Sequence, residues 1–253
     1  MSPEMNLFVV SDGMGGLASG EIASRLAVET VLAHCREGDV NSELALTGER
    51  INGVSRGSNR LASAVRLANH VIQKAAHENA AHRGMGATIA VVRCEAERMS
   101  VAHVGDSRVY RLRDQRLEQL TQDHSLVAEQ VRQGEMTERE ACESNLQNVL
   151  IRALGIDANV ETDVTDELLM DGDTILLCTD GLTREVSDKQ IATVLSDMKN
   201  AQGAADRLVD LANQAGGRDN ITAIVLRASS RSEGAFARIE RLGRWLRRLG
   251  DES

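Results

Sequence analysis

Four aspartates in this chain lie beside or near glycines at the ends of apolar segments. Asp12 and Asp180 share one pattern, in which four apolar residues are followed by a hydroxyl residue, an aspartate and a glycine. Asp106 follows Gly105 at the end of a third apolar segment, and Asp219 lies shortly before a fourth. Because glycine lets the backbone approach a ligand closely, each carboxylate is placed where a small bound group could reach it.

Carboxylates that meet at one sheet edge would repel one another at neutral pH. The repulsion is removed if their pKa values rise or if a cation neutralises them. Oxygen ligands without histidine or thiolate favour Mg²⁺ or Mn²⁺ over Zn²⁺ or copper. Two such ions would form a phosphoryl-transfer centre that activates a water molecule and screens the charge of a phosphate dianion. The alternative is that each Asp-Gly pair is only a turn.

The elements that must position these aspartates form runs of strands flanked by helices. Apolar periodicity predicts strands at 7–10, 87–93, 99–104, 108–112, 160–165, 174–178 and 221–226. It predicts helices at 19–35, with Ser19 as N-cap and Gly38 beyond the end, and at 61–75, 188–197 and 204–214, with a polar helical segment over 123–140. Closely spaced strands favour antiparallel pairing, so the pattern predicts an α+β domain rather than an alternating parallel sheet.

Size and charge exclude several classes of function. The 253 residues are 42% hydrophobic and 26% charged, which is typical of a globular protein with one large or two small domains. With 29 Lys and Arg against 38 Asp and Glu, the net charge of −9 repels nucleic acid and anionic membranes. The four aromatic residues, one Trp, one Tyr and two Phe, are too few for base stacking. We therefore expect no nucleic-acid partner.

The cysteine spacing and the N-terminal residues indicate in which cellular compartment the protein works. Cys35, Cys94, Cys142 and Cys178 include no Cys-x-x-Cys pair, so we interpret them as buried thiols rather than zinc ligands or a redox motif. The N-terminus lacks the basic and apolar segments of a targeting signal. These features predict a protein of the reducing cytoplasm.

The end of the chain differs in composition from the rest. We expect one domain over residues 1–228, followed over 229–253 by a linker and a basic amphipathic helical tail with arginines among apolar residues at helical spacing. Such a helix could lie on anionic lipid or dock on the acidic domain. We favour docking over membrane contact.

An ordered series of short motifs over about residues 7–227 resembles the metal-dependent type 2C (PPM) protein phosphatases in their bacterial form. The motifs are Ser11-Asp12-Gly13-Met14-Gly15-Gly16 with Gly20-Glu21, Gly84-Met85-Gly86-Ala87-Thr88, Ala102-His103-Val104-Gly105-Asp106-Ser107-Arg108, Asp123-His124-Ser125, 148–155, Thr179-Asp180-Gly181 and Gly217-Arg218-Asp219-Asn220. One Asp-Gly pair is weak evidence, whereas the ordered series is specific. The resemblance implies a four-layer αββα sandwich of two mostly antiparallel sheets flanked by helix pairs.

The resemblance also implies an activity and residue roles. The activity is hydrolysis of phosphoserine and phosphothreonine on proteins, substrates of a serine/threonine kinase, by a metal-bridging water. The cofactors are Mn²⁺ or Mg²⁺, as two ions and, in bacterial members, a weaker third. Asp12 would bridge the two ions, the Gly13 carbonyl would hold one, Asp180 and Asp219 would hold the other, and Asp106 would help to hold the third. Asp12, Asp180 and Asp219 are thus the predicted catalytic residues.

One departure from the family pattern leaves an alternative function open. Family members normally begin with a segment whose arginine grips the substrate phosphate and whose acidic residue lies near the metals, and the sequence starts after that position. Met14 stands where eukaryotic relatives have a histidine acid, as is also the case in bacterial relatives. The alternative is a catalytically impaired metal-binding module that engages phosphoproteins. Residues 122–146 would form the flap that shapes substrate access in either case.

The glycines after the first predicted strand also match a motif from a different class of protein. Gly13-x-Gly15-x-x-Ala18 fits the dinucleotide fingerprint of an oxidoreductase. Asp12 argues against it, because a carboxylate beside the pyrophosphate would repel it. No second strand that ends in an acidic residue follows at the expected distance of about 20 residues.

Overall fold

A computed structural model describes residues 1–229 and places their helices and strands in four layers. The strands are β1 (Leu7–Val10), β2 (Gly13–Met14), β3 (Gly86–Ala87), β4 (Ile89–Glu95), β5 (Arg98–Val104), β6 (Arg108–Arg113), β7 (Arg116–Gln119), β8 (Asp163–Leu168), β9 (Thr174–Cys178) and β10 (Ala223–Arg227). The α-helices are α1 (Leu17–Val40), α2 (Arg56–Glu78), α3 (Leu126–Arg132), α4 (Glu138–Glu143), α5 (Asp180–Thr183), α6 (Asp188–Asp197) and α7 (Ala201–Ala215). The predicted tail helix lies outside the described residues.

The two inner layers are four-stranded antiparallel sheets. The first has the order β1-β4-β5-β8 and the second the order β10-β9-β6-β7, while β2 and β3 form a separate short ribbon. In the first sheet, the ends of β1 and β5 both lie beside the start of β4, where Val10 pairs with Ala90 and Val104 with Ile89. In the second, Cys178 at the end of β9 lies opposite the starts of β6 and β10. The predicted α+β sandwich is confirmed.

Apolar residues on both faces of the sheets hold the layers together. In β9, Ile175 and Leu177 face the other sheet, whereas Leu176 and Cys178 face the helices. Because both faces are buried, the strand is apolar at nearly every position instead of alternating. The cluster between the sheets contains Val10, Ala90, Val92, Met99, Val101, Val109, Ile175 and Leu177. Helices α1 and α2 cover the outer face of the first sheet, and α6 and α7 cover that of the second.

Helix α1 differs from its prediction at both ends. It begins at Leu17, after Gly15 and Gly16 at φ of 111° and 89°, so Ser19 is a residue of the first turns and not the N-cap. It continues through Gly38 to Val40, and the carbonyl of that glycine accepts a hydrogen bond from Arg60 of α2. The lack of a side chain at Gly38 leaves room for this guanidinium, so the glycine marks a helix contact and not a helix end.

Apolar periodicity does not predict the short or polar strands and helices. Strands β2 and β3 have two residues each, and α5 is a single turn, which is too short for any periodic signal. Strand β7, at an edge of the second sheet, buries only part of Leu117 among polar neighbours. The prediction of buried thiols holds for Cys35 and Cys178 but is wrong for Cys142, which is exposed, and for the half-buried Cys94. Within residues 1–229 no helix has the length and apolar character to cross a membrane.

Candidate active site

The four predicted aspartates lie at strand ends that meet at one edge of the sandwich. Asp12 follows β1 and Asp106 follows β5, and these are the two strand ends beside the start of β4 in the first sheet. Asp180 follows β9 and Asp219 precedes β10, which are neighbours in the second sheet. Each sheet therefore contributes two carboxylates to the same site.

The two Ser/Thr-Asp-Gly motifs use their hydroxyl groups in the same way. The Ser11 hydroxyl donates to the backbone carbonyl of Thr88 at 2.6 Å, and the Thr179 hydroxyl donates to the carbonyl of Asn220 at 3.2 Å. The Thr179 oxygen also accepts the Thr222 N–H at 3.0 Å. Each hydroxyl thus fixes the loop opposite its strand end, and the aspartate that follows is held in a defined position.

The glycines of these motifs permit close backbone contacts. A side chain on Gly13 would overlap the backbone of Gly20 in α1, and one on Gly181 would overlap the carbonyl of Asn220, beside Asp219. The second contact brings the Asp180 turn against the loop that carries Asp219. Gly105, at φ of 100°, would place a Cβ only 2.7 Å from Thr88.

Thr88 links the two aspartates of the first sheet. Its hydroxyl oxygen accepts the Asp12 N–H at 3.0 Å and lies 2.7 Å from the hydroxyl of Ser107, next to Asp106. Its own N–H donates to the Asp12 carbonyl at 2.8 Å. Thr88 belongs to one of the motifs quoted above. Its positioning role could not be predicted, because the hydrogen bond joins two residues that lie 76 positions apart in the sequence.

The carboxylates strongly influence one another's ionisation. Burial, followed by the charges of Asp180 and Asp219, raises the pKa of Asp12 to about 7. Burial and the charges of Asp180 and Asp123 raise the pKa of Asp106 to about 7. Burial also raises the pKa of Asp180, although the Arg184 cation opposes this. The structure therefore confines negative charge that nearby protein groups compensate only in part.

The donor set fits hard divalent cations. The Oδ1 atom of Asp180 is buried and has no hydrogen-bond partner among the described residues. A buried carboxylate oxygen without a partner is costly unless a cation or a water molecule satisfies it. The neighbouring side chains of Asp12, Asp106 and Asp219 offer only oxygen atoms, which are the ligands that Mg²⁺ and Mn²⁺ prefer.

Arg184 is a residue of this site that the sequence analysis did not predict. It follows the single turn α5, four residues after Asp180, and forms an ion pair with that aspartate. Its Nη1 donates to Asp219 Oδ2 at 3.2 Å, and its Nη2 lies 3.9 Å from Asp106 Oδ2. The i, i+4 spacing from Asp180 would have predicted this ion pair if the helical turn had been recognised.

The predicted flap borders the site and is attached beside Asp106. The backbone N–H of His124 donates to the Gly105 carbonyl at 3.0 Å, and Arg108 binds both carboxylate oxygens of Asp123. Beyond the end of the flap, the N–H of Ile151 donates to the His124 carbonyl at 2.9 Å. The start of the flap is thus held close to the loop that carries Asp106, and the chain that follows the flap returns to the same place.

A cleft of about 330 Å³ lies between the flap and the carboxylates. It is lined by Cys142, Gln147, Asn148, Gly181, Arg184, Glu185, Arg218 and Asp219. Arg218 is bonded to Glu185, with Nε 2.8 Å from Oε1. The cleft opens directly onto Asp219 and is large enough for a small anion and the side chain that carries it.

The four-layer sandwich and the carboxylate site define a protein phosphatase 2C: the model of that family matches residues 2–222, and the chain belongs to it. The serine/threonine phosphatase stp of Listeria welshimeri is 34% identical over 231 residues, which cover 91% of this chain and 88% of stp. This similarity confirms the resemblance drawn from the motifs and makes the dinucleotide fingerprint at Gly13 coincidental.

Solved structures share the same architecture. The crystal structure of the Mycobacterium tuberculosis serine/threonine phosphatase PstP/Ppp has a TM-score of 0.77 and 33% identity, and the match covers 88% of each chain. A structure of the PstP catalytic domain in complex with two manganese ions has a TM-score of 0.74 and 34% identity, covering 89% of this chain and 88% of that one.

Proposed function

We propose that this chain is a Mn²⁺- or Mg²⁺-dependent protein phosphatase that hydrolyses phosphoserine and phosphothreonine on proteins. The observation that carries this proposal is the convergence of four carboxylates, from both sheets of a protein phosphatase 2C fold, around a buried oxygen of Asp180 without a partner. Its relatives are named as serine/threonine phosphatases, and one solved relative is a complex with two manganese ions. No observation favours the catalytically impaired module.

We assign the metal ligands to the residues predicted from the sequence. Asp12 would bind both ions, the Gly13 carbonyl would bind one of them, Asp180 and Asp219 would bind the other, and Asp106 would help to hold a third. When bound, such ions supply an activated water molecule and screen the charge of the phosphate. The position of each ligand on the end of a strand or on a hydrogen-bonded loop supports the assignment.

The residues around the ligands fix the geometry before substrate arrives. Thr88 holds the backbone of Asp12 from both sides, and Thr179 holds the loop before β10, so the carboxylates need little rearrangement to bind ions. Preorganised groups of this kind lower the cost of reaching the transition state. The flap covers one side of the cleft and limits access to the phosphoester.

Metal removal tests the proposed activity. We expect p-nitrophenyl phosphate and a phosphothreonine peptide to be hydrolysed in millimolar Mn²⁺, with activity lost in EDTA and restored by Mn²⁺ added in excess, because the bound ions supply the activated water. Release of inorganic phosphate is the measurement. Turnover that persists in EDTA would contradict metal dependence, and Mn²⁺ binding without turnover would support the regulatory module instead.

Metal binding is expected to release protons and to strengthen as the pH rises. In the metal-free protein, Asp12 and Asp106 have pKa values of about 7, while the bound form requires carboxylates. Below pH ~7 the affinity for Mn²⁺ should rise up to tenfold per pH unit for each proton released, and it should level off above that pH. Titration calorimetry in buffers of different ionisation enthalpy counts these protons.

The same pKa values set the sign of the stability change. Both pKa values are raised from the ordinary 3.8, so between pH 3.8 and about 7 the folded metal-free protein binds more protons than the unfolded chain. The metal-free protein therefore loses stability as the pH rises across this range, the loss levels off above about pH 7, and Mn²⁺ should restore the stability. An affinity for Mn²⁺ that is the same at pH 5.5 and pH 8 would contradict the proton release expected on metal binding.

We also propose that the substrates are phosphorylated by a serine/threonine kinase and that the protein works in the cytoplasm. The four free cysteines of the described chain are compatible with a reducing compartment.

We propose in addition that the phosphatase domain ends near residue 228 and that the basic tail docks on this acidic domain. The opposite charges of the two parts support this proposal.

A further inference from the structure

Arg184 forms ion pairs with the carboxylates of the active site. Its guanidinium contacts Asp106, Asp180 and Asp219, which come from three separate segments of the chain. A quarter of its side chain is exposed, and this part lines the cleft beside the site. One arginine therefore contacts both the proposed metal ligands and the space where a substrate would enter.

The charge of the site favours this arrangement only while metal ions are absent. Asp12, Asp106, Asp180 and Asp219 carry four negative charges when ionised, and Arg184 compensates one of them. Two divalent cations would compensate all four, after which a guanidinium among the ligands would be repelled by the ions. Arg184 and the metal ions thus compete for the same carboxylate oxygens.

Among residues 1–229, the lining of the cleft offers Arg184 no free acidic partner once it is released. Of the described residues that line it, the acids are Asp219, a proposed metal ligand, and Glu185. Glu185 is bonded to Arg218 through both oxygens, at 2.8 and 3.3 Å. An unpaired guanidinium at the edge of a cleft is well suited to bind a phosphate group in a forked geometry.

We propose that Arg184 is a substrate-binding residue that exchanges partners: it binds the carboxylates in the metal-free protein and the phosphate of the substrate in the metal-loaded enzyme. This inference rests on the proposed function and deepens it. Because metal binding releases the arginine, the site gains its phosphate-binding cation only when the ions that activate the water are present. The same residue weakens metal affinity and strengthens phosphate affinity.

Substitution of Arg184 by glutamine tests both parts. We expect the variant to bind Mn²⁺ about tenfold more tightly by titration calorimetry, because a competing positive charge is gone. We expect inorganic phosphate to inhibit the Mn²⁺-loaded variant about tenfold more weakly, and the KM for a phosphothreonine peptide to rise by a similar factor. Opposite changes in the two affinities are not expected of a residue with a purely structural role.

Arg218→Gln is the matched control. It removes the same charge from the same cleft, but from a side chain that is bonded to Glu185 and not to the proposed ligands. We expect it to change the Mn²⁺ affinity by less than about twofold, since the affected charge is already paired. If Arg184→Gln does not fold, Arg184→Met serves in its place, because it also removes the positive charge and the forked contacts while it keeps an unbranched side chain.

Each outcome decides one part of the inference. Mn²⁺ binding that is unchanged or weaker in Arg184→Gln would overturn the competition with metal ions. An unchanged inhibition constant for inorganic phosphate would overturn the contact with phosphate. Failure of the unsubstituted protein to bind Mn²⁺ would contradict the proposed function itself, and is therefore distinguishable from either result.

Discussion

Asp180→Asn is expected to abolish phosphatase activity, with a loss of kcat on the order of a thousandfold or more, equivalent to about 4 kcal/mol in the barrier. Asparagine has nearly the same shape but cannot supply the negative charge of a proposed metal ligand whose Oδ1 is buried without a protein partner. Steady-state hydrolysis of a phosphothreonine peptide and the number of Mn²⁺ ions bound, by calorimetry, are the measurements. We expect both to fall together.

The metal-free Asp180→Asn protein should remain folded. The substitution removes an ion pair with Arg184, but it also removes one of several carboxylates that repel each other. Asp210→Asn, on the exposed side of α7, is the control and should retain full activity and metal binding. Activity near the unsubstituted level in Asp180→Asn would rule out the proposed role of this residue.

Gly181→Ala is expected to damage the fold and the site at once. A Cβ at this position would overlap the carbonyl of Asn220, so the loop that carries Asp219 must move away from Asp180. Such overpacking against backbone costs about 1–3 kcal/mol of stability. We expect a lower urea midpoint for unfolding and weaker Mn²⁺ binding, since two proposed ligands no longer face each other.

Gly203→Ala provides the comparison for the same change in a helix. A Cβ on Gly203 in α7 would lie 3.3 Å from the flexible end of Met198, which can move aside. The substitution should be neutral or stabilise the protein by up to about 1 kcal/mol, because alanine restricts the unfolded chain and favours helix. Equal urea midpoints for Gly181→Ala and the unsubstituted protein would contradict the close contact described here.

The main strands and helices could be predicted because their patterns are local. Strands β1 and β9 are apolar on consecutive positions and end at glycine motifs, and α7 repeats apolar residues at helical spacing. The predicted positions of the helix ends were less accurate than those of the helices themselves. Helix α2 begins at Arg56, five residues before the predicted start, because Ser55 caps it with a side-chain hydrogen bond to the Ser58 N–H, and this cap precedes the apolar pattern.

The carboxylates of the site could also be predicted, whereas their supporting contacts could not. Asp12 and Asp180 belong to a repeated motif that is visible in the sequence. Thr88 and Asp12 meet only after β1 and β4 pair, and Arg184 acts through a single helical turn. Contacts between residues that are distant in the chain leave no periodic signal, so they required the structure.

The division of the carboxylates between the sheets has a mechanical consequence. Asp12 and Asp106 extend from the first sheet and Asp180 and Asp219 from the second, while the interior between them is joined mainly by apolar packing. Ions held jointly by these side chains would form a cross-link between the two sheets. Separation of the sheets during unfolding would then be opposed by coordination bonds as well as by the hydrophobic effect.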